Sequence, residues 1–192
     1  MNEPPTLTPL RLAILGLISM QPMSGYDLRK VFETTPMGNF SSSPGAIYPA
    51  LKSLEKGGWV HGVPDKQDTL RPRLVYSLTD RGDDVLNGEL DATVTRDDLI
   101  WRYDQLMLRF AFMERRGLNR VMRFLEELLI ELDAYVAHLE EVHVQMTGQT
   151  TVCGRLALEQ GIEGYRANAG WARRAIRELE GTVECEGGEE NE

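Results

Sequence analysis

The chain has 192 residues, 42% of them hydrophobic, and a formal net charge of −9, so it can bury a sizeable core as one domain or two small ones. No run of about 18 apolar residues predicts a membrane span, and the N-terminus lacks the charged region and cleavage site of a secretory signal. With Cys153 and Cys185 the only cysteines, the expectation is a cytoplasmic protein with reduced thiols, not a disulfide scaffold.

The charge is unevenly divided. Residues 1–90 carry 9 basic and 10 acidic side chains, a net of −1, whereas residues 91–192 carry 12 and 20, a net of −8. The overall acidity therefore does not exclude nucleic acid as a partner of the first half.

Cap signals place the first helices. Thr8-Pro9 is an N-cap followed by proline at the first helical position, predicting a helix over 8–20 that Pro22 closes. Ser24, with Asp27 at capping-box spacing, starts a second helix whose apolar side is Leu28, Val31 and Phe32. After a loop over 38–43, Ser43-Pro44 repeats the cap-plus-proline device and opens a third helix that ends at Gly57-Gly58. Its residues Ile47, Ala50, Leu51 and Leu54 fall at helical spacing and should face the core. The opposite side then holds Gly45, Tyr48, Pro49, Lys52, Ser53 and Lys56. Pro49 removes one backbone hydrogen bond, so a slight kink or a tight first turn is expected there. Two short segments, WVHGV (59–63) and LVYSL (74–78), have the β-branched and aromatic content of paired strands. Three helices and a hairpin in this order describe a winged helix-turn-helix with a two-stranded wing.

Periodicity dominates the second half. Leu99, Tyr103, Leu106, Phe110 and Met113 alternate gaps of four and three. From Leu118 through Val121, Leu125, Leu128, Leu132, Tyr135, Leu139 and Val142 to Met146 the alternation runs for about four heptads. A third set runs from Leu158 to Leu179. Glycine-bounded consecutive helices fold back as antiparallel hairpins, and three such stripes predict a helical homodimer. The fold class is thus mainly α. Residues 1–90 form the winged helix, 91–180 a long-helix antiparallel dimerisation domain, and 181–192 an acidic tail expected to be disordered.

The chemistry-bearing residues cluster on the third helix. Ser41, Ser42, Ser43 and Gly45 lie at its N-terminus, where free N–H groups and the helix dipole suit a phosphate. Behind them Tyr48 and Lys52 meet no acidic residue before Glu55, which suits a recognition helix in a major groove. The wing loop is diluted by Asp65 and Asp68, yet Arg71 and Arg73 at the second strand could reach phosphates. The candidate DNA contacts are Tyr26, Lys30, Ser42, Ser43, Gly45, Ala46, Tyr48, Pro49, Lys52, Arg71 and Arg73.

The run LAILGLISMQPMSGYDLRKVF, then SPGAIYPALKSLEKGGWV, then RPRLVYSLTDRGDDVL resembles the PadR family of bacterial transcriptional regulators over residues 8–90. The matching elements are Gly25-Tyr26-Asp27-Leu28, Gly45 to Leu54 with Tyr48-Pro49, and Tyr76-Ser77-Leu78-Thr79 before Gly82. The helical remainder resembles the C-terminal dimerisation region of longer members. The resemblance implies a homodimer that binds a double-stranded DNA operator, usually as a repressor released by a small-molecule effector. Pro49 sits where that family also places a proline.

Trp101, Tyr103 and Trp171 are candidates for lining an effector pocket, and Arg102 and Arg109 could meet a ligand carboxylate or pair within the chain. His138 and His143 stand five residues apart, too far around a helix for a shared metal. No glycine-rich phosphate loop and no Ser, His and Asp arrangement stand out, so neither an active site nor a cofactor is expected. The competing expectation is a protein-interaction adaptor that uses the winged helix as a docking surface.

Overall fold

A computed structural model describes residues 7–40, 44–65, 73–146 and 148–186. The chain divides into two compact units, Met1–Asp91 and Ala92–Glu192. Among the described residues no helix is long and apolar enough to cross a membrane.

In the first unit, α1 spans Pro9–Met20, and its Thr8 cap accepts the Arg11 N–H. Helix α2, Gly25–Thr34, opens on a complete capping box between Ser24 and Asp27. A 3-10 turn, Pro44–Ala46, leads into α3, Ile47–Lys56. Leu12, Ile14, Leu15, Ile18, Leu28, Ile47, Leu51 and Leu54 are all buried together. Arg11 Nη2 donates to Ser53 Oγ at 3.0 Å and ties α1 to α3.

The wing has one strand more than the sequence reading expects. Strands β1 (Met23–Ser24), β2 (Val60–Pro64) and β3 (Leu74–Leu78) form an antiparallel sheet in the order β1-β3-β2. The extra strand follows from the cap: Ser24 must be extended (φ −80°, ψ 161°) to cap α2, and that conformation lets Met23 and Ser24 pair with Tyr76 and Val75. Two residues are too few to show alternation in a sequence.

The motif around Thr79 joins the sheet to α4, Asp80–Asp91. Thr79 Oγ1 donates to the Gly58 carbonyl at 2.6 Å and accepts the Gly82 N–H at 3.1 Å, while the Thr79 N–H reaches the Trp59 carbonyl at 3.1 Å. Gly82 is where α4 meets the chain leaving α3, since a Cβ there would lie 1.9 Å from the Trp59 carbonyl oxygen.

The second unit departs from a simple three-stripe reading. The first stripe is divided into α5 (Arg96–Trp101), α6 (Tyr103–Ala111) and a 3-10 turn, Met113–Arg116. Arg102, with φ −139° and ψ 30°, interrupts it. Its N–H closes α5 on the Asp98 carbonyl and its guanidinium pairs with the Asp98 carboxylate at 2.8 Å. Leu99, Leu106 and Met113 remain buried across the break.

Helices α7 (Leu118–Met146) and α8 (Val152–Glu186) form an antiparallel hairpin. Pairs across it run in opposite directions: Asp133 with Arg173, Glu140 with Arg166, and His143 with Glu159. Tyr135 and Tyr165 meet edge to face at 4.9 Å. Helix α8 continues through Glu186, into the stretch expected to be an acidic tail. Propagating an existing helix adds a hydrogen bond per residue without a new nucleus, and the cost of one glycine, about 1 kcal/mol, does not stop it. Residues 187–192 lie outside the described residues.

Two outcomes are expected. Gly82→Ala should destabilise the first unit by roughly 1–3 kcal/mol, measured by urea unfolding followed through Trp59 fluorescence. The Asp27 carboxyl is held below its ordinary range, chiefly by the Ser24 hydroxyl bond, with the Ser24 N–H and the charges of Arg73 and Lys30 helping against burial. A group lowered in this way stabilises the fold above its unfolded pKa, near 4, and that contribution disappears as pH falls through the lower folded value. Asp27→Asn should therefore reduce stability at pH 7 and flatten its fall below about pH 4.

Candidate nucleic-acid interface

Helix α3 presents two faces. Ile47, Ala50, Leu51 and Leu54 are buried, whereas Gly45, Tyr48, Pro49, Lys52 and Lys56 are exposed. Pro49 is the third residue of α3, where a backbone N–H would have no intrahelical partner in any case. The tight turn expected near it is the 3-10 segment Pro44–Ala46. Ala46 occupies the N-cap with no side-chain hydrogen bond, so the first turn of α3 has no hydroxyl cap of its own. The cap expected from Ser43 falls, with Ser42 and Arg71, outside the described residues.

Around Tyr48 the fold assembles a cluster that the sequence does not announce. The Tyr48 ring lies against Gly25, where a Cβ would be 2.6 Å from Tyr48 Cε1. A groove beside it is lined by Ser24, Gly25, Tyr26, Tyr48, Arg73, Leu74 and Tyr76. The Arg73 guanidinium sits over the Tyr26 ring, 5.2 Å from its centroid. Burial raises the Tyr76 hydroxyl above its ordinary pKa, with the Glu55 carboxylate adding to it. Tyr26 and Tyr48 are each more than half exposed, and Lys30 and Lys52 are exposed.

The acidic residue on this side has a backbone partner on the wing. Glu55 Oε1 accepts the Gly62 N–H at 3.1 Å, which directs its carboxylate onto β2. The structure thus groups Tyr26, Tyr48 and Arg73 around one groove, with Gly45, Ala46, Pro49 and Lys52 on the adjoining turn and helix. Gly25, at the first position of α2, is not among the expected contact residues, and its lack of a side chain admits the Tyr48 ring.

The aromatic residues of the second unit have separate settings. Trp101 is 79% exposed at the end of α5. Tyr103 is half-buried, and burial raises its pKa. Trp171 meets Phe110 edge-on at 5.3 Å. Arg109 is buried over the Phe124 ring, 5.5 Å from its centroid, and donates to the Ala92 carbonyl. Arg120 donates to the same carbonyl at 3.0 Å.

Parts of the chain are similar in sequence to known proteins. Residues 14–88 match the PadR-like family of transcriptional regulators, and residues 104–180 match the region called virulence activator alpha C-term. Over 82 residues the chain is 37% identical to the negative transcriptional regulator PadR of Bacillus subtilis, which is 42% of this chain and 44% of that protein. It is 45% identical over 47 residues to the transcriptional regulator YqjI of Escherichia coli, 24% of this chain and 23% of that one. The chain therefore spans less than half the length of these curated relatives. A crystal structure of Bacillus subtilis PadR in complex with operator DNA is similar over 91% of this chain and 99% of that one, with 22% identity and a TM-score of 0.44. Residues 14–88, with the winged helix and the Tyr48-Pro49 helix in place, thus match the PadR-like family of transcriptional regulators.

Proposed function

We propose that the chain is a sequence-specific regulator that binds a double-stranded DNA operator as a homodimer in the cytoplasm and represses transcription until a small-molecule effector releases it. The observation that carries this reading is the exposed face of α3, where Tyr48, Pro49 and Lys52 point outward while Glu55 is drawn onto β2. Such a face can enter a major groove, with lysine and arginine contacts to phosphate setting register and side chains reading base edges. Two copies would meet a pseudo-palindrome with half-sites one or more helical turns apart. The identity shared with a negative regulator supports repression as the outcome.

Dimerisation is supported by the outer faces of the hairpin. Ile130, Val144, Val152 and Leu156 are exposed apolar side chains on α7 and α8. Trp101, Tyr103 and Trp171 remain the aromatic candidates for receiving an effector, which would act by favouring a state with lower DNA affinity.

Anisotropy titrations with labelled DNA from upstream of the chain's own gene test the reading. Lys52→Ala should weaken binding about equally across related sequences and lower the slope of log affinity against log salt by about one. Binding that is absent, or indifferent to salt, would contradict it. Sedimentation equilibrium should give twice the chain mass, and Ile130→Glu with Val144→Glu should shift it to the monomer while leaving helical content unchanged.

A further inference from the structure

Tyr26 and Arg73 meet where α2 reaches the root of the wing. Both residues are exposed, and the guanidinium is 5.2 Å from the ring centroid. The pairing of Ser24 with Val75 brings their two elements side by side. Nearby, the Asp27 carboxylate accepts the Ser24 N–H at 3.1 Å and its hydroxyl at 2.6 Å.

An exposed arginine side chain has many rotamers, and fixing them for a phosphate contact costs entropy. A guanidinium whose central carbon sits over an aromatic ring gives up part of that freedom before DNA arrives. The Asp27 charge acts on the same guanidinium, so the ring is one of the groups that hold it, and a phosphate would be met by its N–H groups.

We propose that Tyr26 is a positioning residue, whose ring presets Arg73 at the root of the wing for contact with a DNA backbone phosphate. The inference rests on the DNA-binding reading of α3 and gives Tyr26 a role other than direct contact. Because Tyr26 is 54% exposed, replacing it removes little buried surface and leaves the fold in place.

Two measurements on the full chain test this. In the free protein, the side-chain protons of Arg73 should show an upfield ring-current shift in NMR spectra, kept in Tyr26→Phe and lost in Tyr26→Leu. For binding, the probe is a fluorescein-labelled duplex that the purified chain selects from a random-sequence pool. Tyr26→Phe should bind it like the original chain, Tyr26→Leu should bind about two- to fivefold more weakly, and Arg73→Ala should lower the salt slope by about one. In a double-mutant cycle the Tyr26→Leu penalty should vanish once Arg73 is alanine.

A penalty that persists without Arg73, or a Phe variant as weak as the Leu variant, would overturn the proposal and make Tyr26 a direct contact. A missing ring-current shift would overturn it without reference to DNA. A chain that shows the shift but selects no duplex would defeat the DNA reading and this role together, whereas normal selection with an unaffected Leu variant would defeat the positioning role alone.

Discussion

Burial of Ile47, Ala50, Leu51 and Leu54 fixes which way the rest of α3 points. Each large apolar side chain removed from water contributes roughly 1.5–3 kcal/mol, so turning the helix about its axis would forfeit several such terms at once. Tyr48, Pro49 and Lys52 are held outward by what lies on the other side. The orientation of the exposed face thus depends on packing on the opposite side of the helix.

A second layer of contacts sets the wing against that helix. Thr79 ties β3 to the end of α3 through Gly58 and Trp59, and Gly82 allows α4 to come close enough for this. Glu55 bonds to β2 through the Gly62 N–H. The last of these anchors the wing and gives the Glu55 carboxylate a backbone partner on β2. Tyr48 against Gly25 and Arg73 over Tyr26 complete a surface drawn from α2, α3 and β3.

Much of this was legible in the sequence because caps and prolines act locally. Thr8-Pro9 and the Ser24-Asp27 box mark helix starts within a few residues, and the apolar spacing of 47, 50, 51 and 54 identifies the buried side of α3 without tertiary information. The long stripes of α7 and α8 are legible for the same reason. What escaped depends on neighbours distant in sequence or on balances of small terms. Strand β1 exists through its pairing with β3, and the Tyr26–Arg73 contact joins residues 47 positions apart. The break at Arg102 leaves the apolar spacing intact, so periodicity could not reveal it. Arg109, expected to meet a ligand carboxylate or to pair within the chain, is buried against Phe124 and the Ala92 carbonyl, a setting that spacing does not reveal. The helix running on to Glu186 reflects cooperative propagation, which composition alone underestimates.

The division of charge, −1 over residues 1–90 against −8 over residues 91–192, leaves attraction to DNA to a few cations in the first unit. The central claim is therefore the proposed location of the DNA contact. Its most direct test is an NMR titration of the full chain with a duplex it selects, following backbone and side-chain shifts residue by residue. The expected result is perturbation concentrated at Gly45 to Lys56, Tyr26 and Arg73, with the buried α1 residues Leu12 to Ile18 little affected. Shifts confined to the outer faces of α7 and α8, with the exposed face of α3 unchanged, would contradict the account.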